Sequence, residues 1–87
     1  MEKQVIKFWA AWCGPCNEYG PIFERVKQDL QDVFTFKEVN VQQDPDNIAG
    51  DYKVRGIPCT VIVQDGKMLK SQSGKMSEQQ LKSFILN

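Results

Sequence analysis

The sequence predicts an α/β fold in which one β-sheet is covered by helices on both faces. Strand-like and helix-like segments alternate in the order β-α-β-α-β-β-α along the 87 residues. The first strand, helix and second strand form a βαβ unit, whose two strands run parallel with a right-handed crossover. The length suits one small domain, and a composition of 41% hydrophobic and 25% charged residues is ordinary for a globular protein. We therefore expect a single domain over residues 1–87.

The first predicted strand covers residues 5–9 and is apolar except for Lys7, as in a central strand covered on both faces. A long helix is predicted from about residue 13 to residue 30. Its apolar stripe recurs at helical spacing and consists of Tyr19, Ile22, Phe23, Val26 and Leu30. Pro21 falls inside this stripe, which keeps its phase across the proline. We therefore expect one helix, kinked at Pro21, rather than two helices.

The middle of the chain completes the alternation. Residues 33–41 predict a second strand, and residues 44–46 start a short helix. The inward side chains of that helix are expected to be Ile48, Ala49 and Tyr52. Residues 60–63 predict a third, fully apolar strand.

A hairpin and a final helix close the predicted fold. Asp65-Gly66 favours a type I′ turn between the third strand and a fourth strand at residues 68–73. Ser77 is a suitable N-cap for the last helix, and Gln80 occupies the capping-box position. The inward face of this helix is expected to carry Leu81, Phe84 and Ile85.

Charge and cysteine content restrict the function. Eleven basic residues balance eleven acidic ones, so there is no electrostatic reason to expect nucleic acid or an anionic membrane as a partner. Residues 1–4 lead into the first strand without the apolar core of a signal peptide. Three cysteines in such a chain fit reactive thiols better than a disulfide framework. We therefore expect a cytoplasmic protein, acting as a monomer.

The stretch Trp12-Cys13-Gly14-Pro15-Cys16 carries the strongest chemical signal. If the long helix begins here, two cysteines three residues apart lie on one face, and their sulfur atoms can meet. A helix N-terminus has unpaired N–H groups and a partial positive charge, which favour a thiolate over a thiol. Pro15 suits the first helical turn. These features predict a dithiol that closes reversibly into a disulfide, with one unusually nucleophilic sulfur.

Two other interpretations of this pair remain open. A Cys-x-x-Cys pair can be half of a zinc site, but four ligands are then needed, and the chain has only Cys59 in addition and no histidine. A purely structural disulfide is the other alternative. A ring this small constrains little chain entropy, so the redox interpretation is preferred.

Two separate motifs together resemble the thioredoxin family. Residues 8–16 are similar to the active-site stretch of thioredoxins, and Gly56-Ile57-Pro58 is similar to their cis-proline loop. Pro21, the Asp65-Gly66 turn and Gly74 also fit the family pattern, so the resemblance covers essentially the whole chain. It implies a three-layer α/β/α sandwich with a four-stranded mixed sheet. The implied strand order is second, first, third, fourth, with the third antiparallel to the first. Thioredoxins usually carry an additional N-terminal strand and helix, for which this sequence has no counterpart.

The resemblance implies a thiol–disulfide oxidoreductase that reduces protein disulfides and serves in electron transport. Cys13 would be the attacking thiolate and the more exposed of the two cysteines, and Cys16 would be the resolving thiol. The Cys13–Cys16 disulfide would be the redox centre, with no separate cofactor and no metal. The implied partners are proteins with disulfides and a thioredoxin reductase or an equivalent electron donor.

The same resemblance implies a substrate-binding groove and supporting residues. Gly14 and Pro15 would support the dithiol. Pro58 would be cis and would lie against the sulfur atoms. The groove would be bordered by Trp12, Gly56, Ile57, Pro58 and Gly74, with the Ile57 backbone pairing with the partner chain as an added strand. Trp12 could instead be a core residue, but Trp9 can serve the core, which favours an exposed Trp12.

Lys7 departs from the family pattern. Thioredoxins usually have a buried Asp at this position and a Lys near the position of Glu38, so the two charges are exchanged here. A buried charge requires a partner, which predicts a Lys7–Glu38 pair. Our hypothesis is that this pair replaces the usual arrangement that removes the proton of Cys16. The alternative is that Lys7 extends to solvent and has no part in the reaction.

Other functions are less consistent with the sequence. A glutaredoxin-like, glutathione-dependent reductase usually shows Thr-Val-Pro where this chain has Gly56-Ile57-Pro58. A binding subunit on a larger partner would not need an intact Cys-Gly-Pro-Cys stretch. Cys59 could be a third redox thiol, but a small apolar residue that enters a strand is the simpler interpretation.

Overall fold

A computed structural model describes residues 3–87; Met1 and Glu2, on which the expectation about the start of the chain partly depends, lie outside the described residues. The elements are β1 (Lys3–Trp9), α1 (Gly14–Leu30), β2 (Thr35–Asn40), α2 (Ile48–Asp51), β3 (Cys59–Gln64), β4 (Lys67–Ser73) and α3 (Glu78–Leu86). Their order is the one that the alternation of hydrophobic patterns predicts.

The four strands form one mixed sheet in the order β2-β1-β3-β4. β1 runs parallel to β2 and antiparallel to β3, as predicted. In this register Lys7 lies directly opposite Glu38 on one side and Thr60 on the other. The central strand β1 therefore places a lysine in the middle of a row of polar residues across the sheet.

Two apolar layers separate the sheet from the helices. The layer under α1 and α3 contains Val5, Tyr19, Phe23, Val26, Ile62, Met76, Leu81 and Ile85. The layer on the opposite face contains Ile6, Phe8, Val39, Cys59, Val61 and Val63, with Ile48, Ala49 and Tyr52 packed against them from α2 and the turn that ends it. Alternate residues of β1 thus enter opposite layers, which gives the three-layer arrangement.

Several strand boundaries differ from the sequence-based prediction by one or two residues, as at β1, which begins at Lys3 rather than at residue 5. Two differences, at β2 and α2, have a clear local cause. β2 begins at Thr35 rather than at residue 33, because the turn after α1 continues through Val33, whose N–H donates to the Leu30 carbonyl at 3.0 Å. α2 begins at Ile48 rather than near residue 44. Asn47 has a left-handed backbone (φ 54°), which no α-helix can continue through, and Asp44 instead accepts hydrogen bonds from the first N–H groups of the helix.

Three other local predictions agree with the structure, namely one continuous α1, the hairpin turn and the cap of α3. α1 is one helix through Pro21. Asp65 and Gly66 both have positive φ (54° and 78°), as a type I′ turn requires. Ser77 and Gln80 form a complete capping box at the start of α3. Within residues 3–87, none of the helices combines the length and the apolar character needed to cross a bilayer.

Candidate active site

The two cysteines lie where β1 ends and α1 begins. Cys13 is the N-cap of α1, with an extended backbone (φ −89°, ψ 110°), and Pro15 occupies the first helical turn. Cys13 and Cys16 are joined as a disulfide, with their Cα atoms 5.2 Å apart. The backbone N–H of Cys16 donates to Cys13 Sγ at 3.2 Å. One orphan N–H group of the helix start is therefore satisfied by a sulfur atom, an arrangement that also stabilises a thiolate there.

Both cysteines are buried in the disulfide form. Cys13 is 5% exposed and Cys16 is 3% exposed, so exposure does not separate the two as the sequence analysis expected. The cover comes from Ala10, Trp9 and Ile57, which pack against the pair. The Ile57 carbonyl oxygen lies 3.8 Å from Cys13 Sγ, so Cys13 is the sulfur that meets the neighbouring loop.

The loop before β3 forms the second wall of the site. The Ile57–Pro58 peptide bond is cis, and Pro58 is fully buried. The N–H of Gly74 donates to the Pro58 carbonyl at 2.8 Å, which ties the end of β4 to this loop. Gly74 has φ of 93°, a conformation that side chains with a Cβ rarely adopt. The structure thus brings Ile57, Pro58 and Gly74 together.

The outer rim of the site is open to solvent. Trp12 is 68% exposed, the largest exposed fraction among the large hydrophobic side chains of residues 3–87. Gly14, Pro15 and Gly56 are exposed as well. The side-chain amide of Asn17 donates to the Ala11 carbonyl at 3.3 Å and links the loop that carries Trp12 to α1. An indole held in solvent beside a disulfide offers an apolar surface to a partner.

Lys7 is buried beneath α1 and is paired with Glu38, as the exchanged charges predict. Its Nζ lies 2.7 Å from Glu38 Oε1, and its side chain is 5% exposed, against 45% for Glu38. The ammonium group also lies 5.0 Å from the ring centre of Phe23 and 6.0 Å from that of Trp9. The alternative in which Lys7 extends to solvent is therefore wrong.

One buried polar pair near the site was not predicted from the sequence. Tyr19 OH and Thr60 Oγ1 are 2.7 Å apart, and neither residue is exposed. Burial raises the pKa of Tyr19 to about 12, partly offset by the hydrogen bond with Thr60 and reinforced by Cys59. Tyr19 lies one turn after Cys16, and Thr60 lies two residues after Pro58, so this bond joins the two walls of the site. Two buried hydroxyls could have been suspected from the apolar patterns around them, but the pairing depends on packing.

Cys59 lies on the other face of the sheet. It is 1% exposed, belongs to the apolar layer under α2, and its Sγ is 3.4 Å from Ser71 Oγ. This is the environment expected of a small core residue.

Known proteins provide an independent comparison. The family model described as thioredoxin matches residues 1–87. A thioredoxin of Mycoplasmoides gallisepticum is 43% identical over 84 residues, which cover 97% of this chain and 82% of the relative. A thioredoxin of Chlorobaculum thiosulfatiphilum is 35% identical over 81 residues, which cover 93% of this chain and 74% of the relative. Among solved structures, a thioredoxin of Malassezia sympodialis matches with a TM-score of 0.88 at 31% identity, over 98% of this chain and 73% of that one.

Proposed function

The chain belongs to the thioredoxin family and is a protein-disulfide reductase that works through a Cys13–Cys16 dithiol/disulfide cycle, in which we propose that Cys13 attacks and Cys16 resolves. The observation that carries this assignment is the Cys13 sulfur at the N-cap of α1, which accepts the Cys16 N–H at 3.2 Å. The first turn of α1 contains no acidic side chain to oppose its positive end. The helix start therefore favours a thiolate at Cys13.

The proposed cycle has two displacement steps. The Cys13 thiolate attacks one sulfur of the target disulfide, the target S–S bond breaks, and its other sulfur leaves as a thiolate that takes up a proton. Cys16 then loses its proton and attacks Cys13 Sγ. The mixed disulfide breaks, the second target sulfur leaves, and the Cys13–Cys16 disulfide remains. The target gains two electrons and two protons, and the dithiol loses the same number.

We propose that the partner chain docks along the loop of Gly56, Ile57 and Pro58. Ile57 lies outside the helices and strands, and its carbonyl is 3.8 Å from Cys13 Sγ. An extended segment of the partner that pairs with the Ile57 backbone would bring its own sulfur to Cys13. Trp12 and the Gly74 backbone would border this segment on either side. Gly14 and Pro15, exposed in the first turn of α1, would support the dithiol.

Lys7 and Glu38 are proposed as active-site support. Lys7 is buried on the side of the sheet that α1 covers, and α1 carries the two cysteines. Lys7 and Glu38 form a 2.7 Å ion pair on this side of the sheet. Together they are proposed to set how readily Cys16 ionises before the resolving step. Proton loss from Cys16 is needed in every cycle, whichever target is reduced.

The wider assignment follows from the family. We propose that residues 1–87 act as one domain and as a monomer in the cytoplasm, within an electron-transport chain. The redox-active disulfide would be the only redox group, without a metal or a separate cofactor. A thioredoxin reductase or an equivalent protein would restore the dithiol, and proteins with accessible disulfides would be its targets.

Insulin reduction tests the assignment. The reduced protein should reduce insulin with a dithiol reagent as the electron supply, and Cys13→Ser should abolish the reaction. Cys16→Ser should still attack and should accumulate the mixed disulfide, because the resolving thiol is missing. Cys59→Ser is the matched control and should keep the wild-type rate. A Cys13→Ser variant that still reduces insulin would overturn the assignment.

A second assay separates the electron donors. The oxidised protein is mixed either with a thioredoxin reductase and its nicotinamide reductant or with glutathione alone. Rapid reduction by the reductase is the expected result. Reduction by glutathione at a comparable rate, with none by the reductase, would instead indicate glutaredoxin-like chemistry.

A further inference from the structure

We propose that Lys7 acts on Cys16 as a fixed buried cation, which favours the Cys16 thiolate without accepting its proton, while Glu38 opposes this effect. The inference rests on the proposed resolving role of Cys16 and specifies what controls the ionisation of its thiol. Lys7 would therefore act on Cys16 only through its charge and would not be a catalytic residue.

The position of Lys7 supports the sign of this effect. Its Nζ faces α1 at Gly20, where an added Cβ would lie 3.9 Å from it. Gly20 is one helical turn after Cys16, which is about 6 Å along the axis, on the same side of the helix. The cation is thus on the order of 10 Å from the resolving sulfur, and both side chains are buried.

The counter-charge does not cancel this cation. Glu38 is on the edge strand β2 and is 45% exposed, so solvent screens its charge, whereas the Lys7 side chain is 5% exposed on the central strand. Cys16, which is 3% exposed, therefore faces the less screened of the two charges. A net positive potential at the resolving sulfur follows from this asymmetry.

Apart from Glu38, no described residue on the surrounding elements places a second buried charge near Lys7. Among residues 3–87, Lys7 is the only buried residue with an ionic side chain. The Tyr19 hydroxyl is hydrogen-bonded to Thr60, the residue opposite Lys7 on β3, and its raised pKa keeps it neutral at ordinary pH. Glu18 of α1 is exposed and is paired with Lys75 from the loop after β4.

The test is the ionisation of Cys16 measured without turnover. In a Cys13→Ser, Cys59→Ser background, Cys16 is the remaining thiol, and its thiolate can be titrated by ultraviolet absorbance. One unit charge at roughly 10 Å, with an effective dielectric of about 20, changes such an equilibrium by about tenfold. Lys7→Met should lower the thiolate fraction at a given pH by about tenfold at most, and Glu38→Gln should raise it.

Controls separate this effect from general damage. The double variant Lys7→Met, Glu38→Gln should fall between the single variants and keeps the fold measurable, because no unpaired charge remains buried. Lys70→Met is the matched control, since Lys70 Nζ lies 5.1 Å from the Phe84 ring on another part of the sheet. It should leave the Cys16 titration unchanged.

Opposite shifts in the two single variants support the inference. Shifts in the same direction, no shift, or an equal shift in Lys70→Met would overturn it. A lower thiolate fraction in Glu38→Gln would show that Glu38 favours the thiolate, which contradicts its proposed opposing effect. The insulin assay is independent of this titration, so a failure of the proposed function and a failure of this inference give different results.

Discussion

Removal of the Tyr19 hydroxyl is expected to destabilise the fold out of proportion to its size. Tyr19→Phe keeps the ring in the core but breaks the 2.7 Å hydrogen bond with Thr60 Oγ1. Both residues are fully buried, so no solvent replaces the lost partner. Thr60→Val, which has nearly the same shape, breaks the same bond from the other side.

The magnitude follows from what each variant leaves behind. A typical net hydrogen bond contributes about 0.5–1.5 kcal/mol, and a buried polar group without a partner costs about 1–3 kcal/mol. We therefore expect Tyr19→Phe and Thr60→Val each to lower the free energy of unfolding by about 2 kcal/mol. For a domain of this size, that corresponds to a fall in Tm of about 10 °C. The double variant leaves no unpaired hydroxyl and should cost only about 1 kcal/mol.

Urea unfolding of the reduced wild type, both single variants and the double variant measures this coupling. Tyr52→Phe is the matched control. Tyr52 is partly buried against the α2 layer, and its hydroxyl makes no hydrogen bond within residues 3–87, so its loss should change stability by less than about 0.5 kcal/mol. If the double variant costs as much as the sum of the single variants, the Tyr19–Thr60 bond does not stabilise the fold and the reasoning is refuted.

The ionisation of Tyr19 and the cap of α3 should each have a measurable effect on the free energy of unfolding. Burial raises the pKa of Tyr19 from 10.0 to about 12, so the folded state holds this proton longer than the unfolded chain does. The contribution of Tyr19 ionisation to the free energy of unfolding should therefore be fully present below pH 10. It should be lost, by roughly 2–3 kcal/mol, as the pH rises to 12. This loss should be absent from urea unfolding of Tyr19→Phe; an equal loss in that variant would assign it to other groups. Ser77→Ala removes the capping box in which Ser77 Oγ accepts the Gln80 N–H at 3.1 Å, and should cost about 1 kcal/mol by thermal unfolding. Ser83→Ala, exposed on α3, is its control, and an equal loss there would contradict a capping role.

Local patterns were sufficient for most of the fold. The strand β1, the long helix α1 and the Asp65-Gly66 turn depend on periodicity and turn chemistry, which act over a few residues and leave a clear signal. The boundaries of β2 and α2 were less predictable. The turn at Val33 and the left-handed Asn47 depend on how the chain leaves one layer and enters the next.

The sequence by itself determined that two thiols stand at a helix start, because a spacing of three residues and a Gly-Pro pair are local properties of the chain. Comparison with the thioredoxin pattern also predicted a Lys7–Glu38 pair, because a buried charge requires a counter-charge. Only the tertiary structure decided that Cys13 is as buried as Cys16 under Ile57, and that Tyr19 pairs with Thr60 across 41 positions. Such contacts arise from the packing of distant segments, and no short-range pattern encodes which surfaces meet. The dithiol and the Lys7–Glu38 pair are therefore predictable from the sequence, whereas the burial of Cys13 and the Tyr19–Thr60 hydrogen bond depend on tertiary packing.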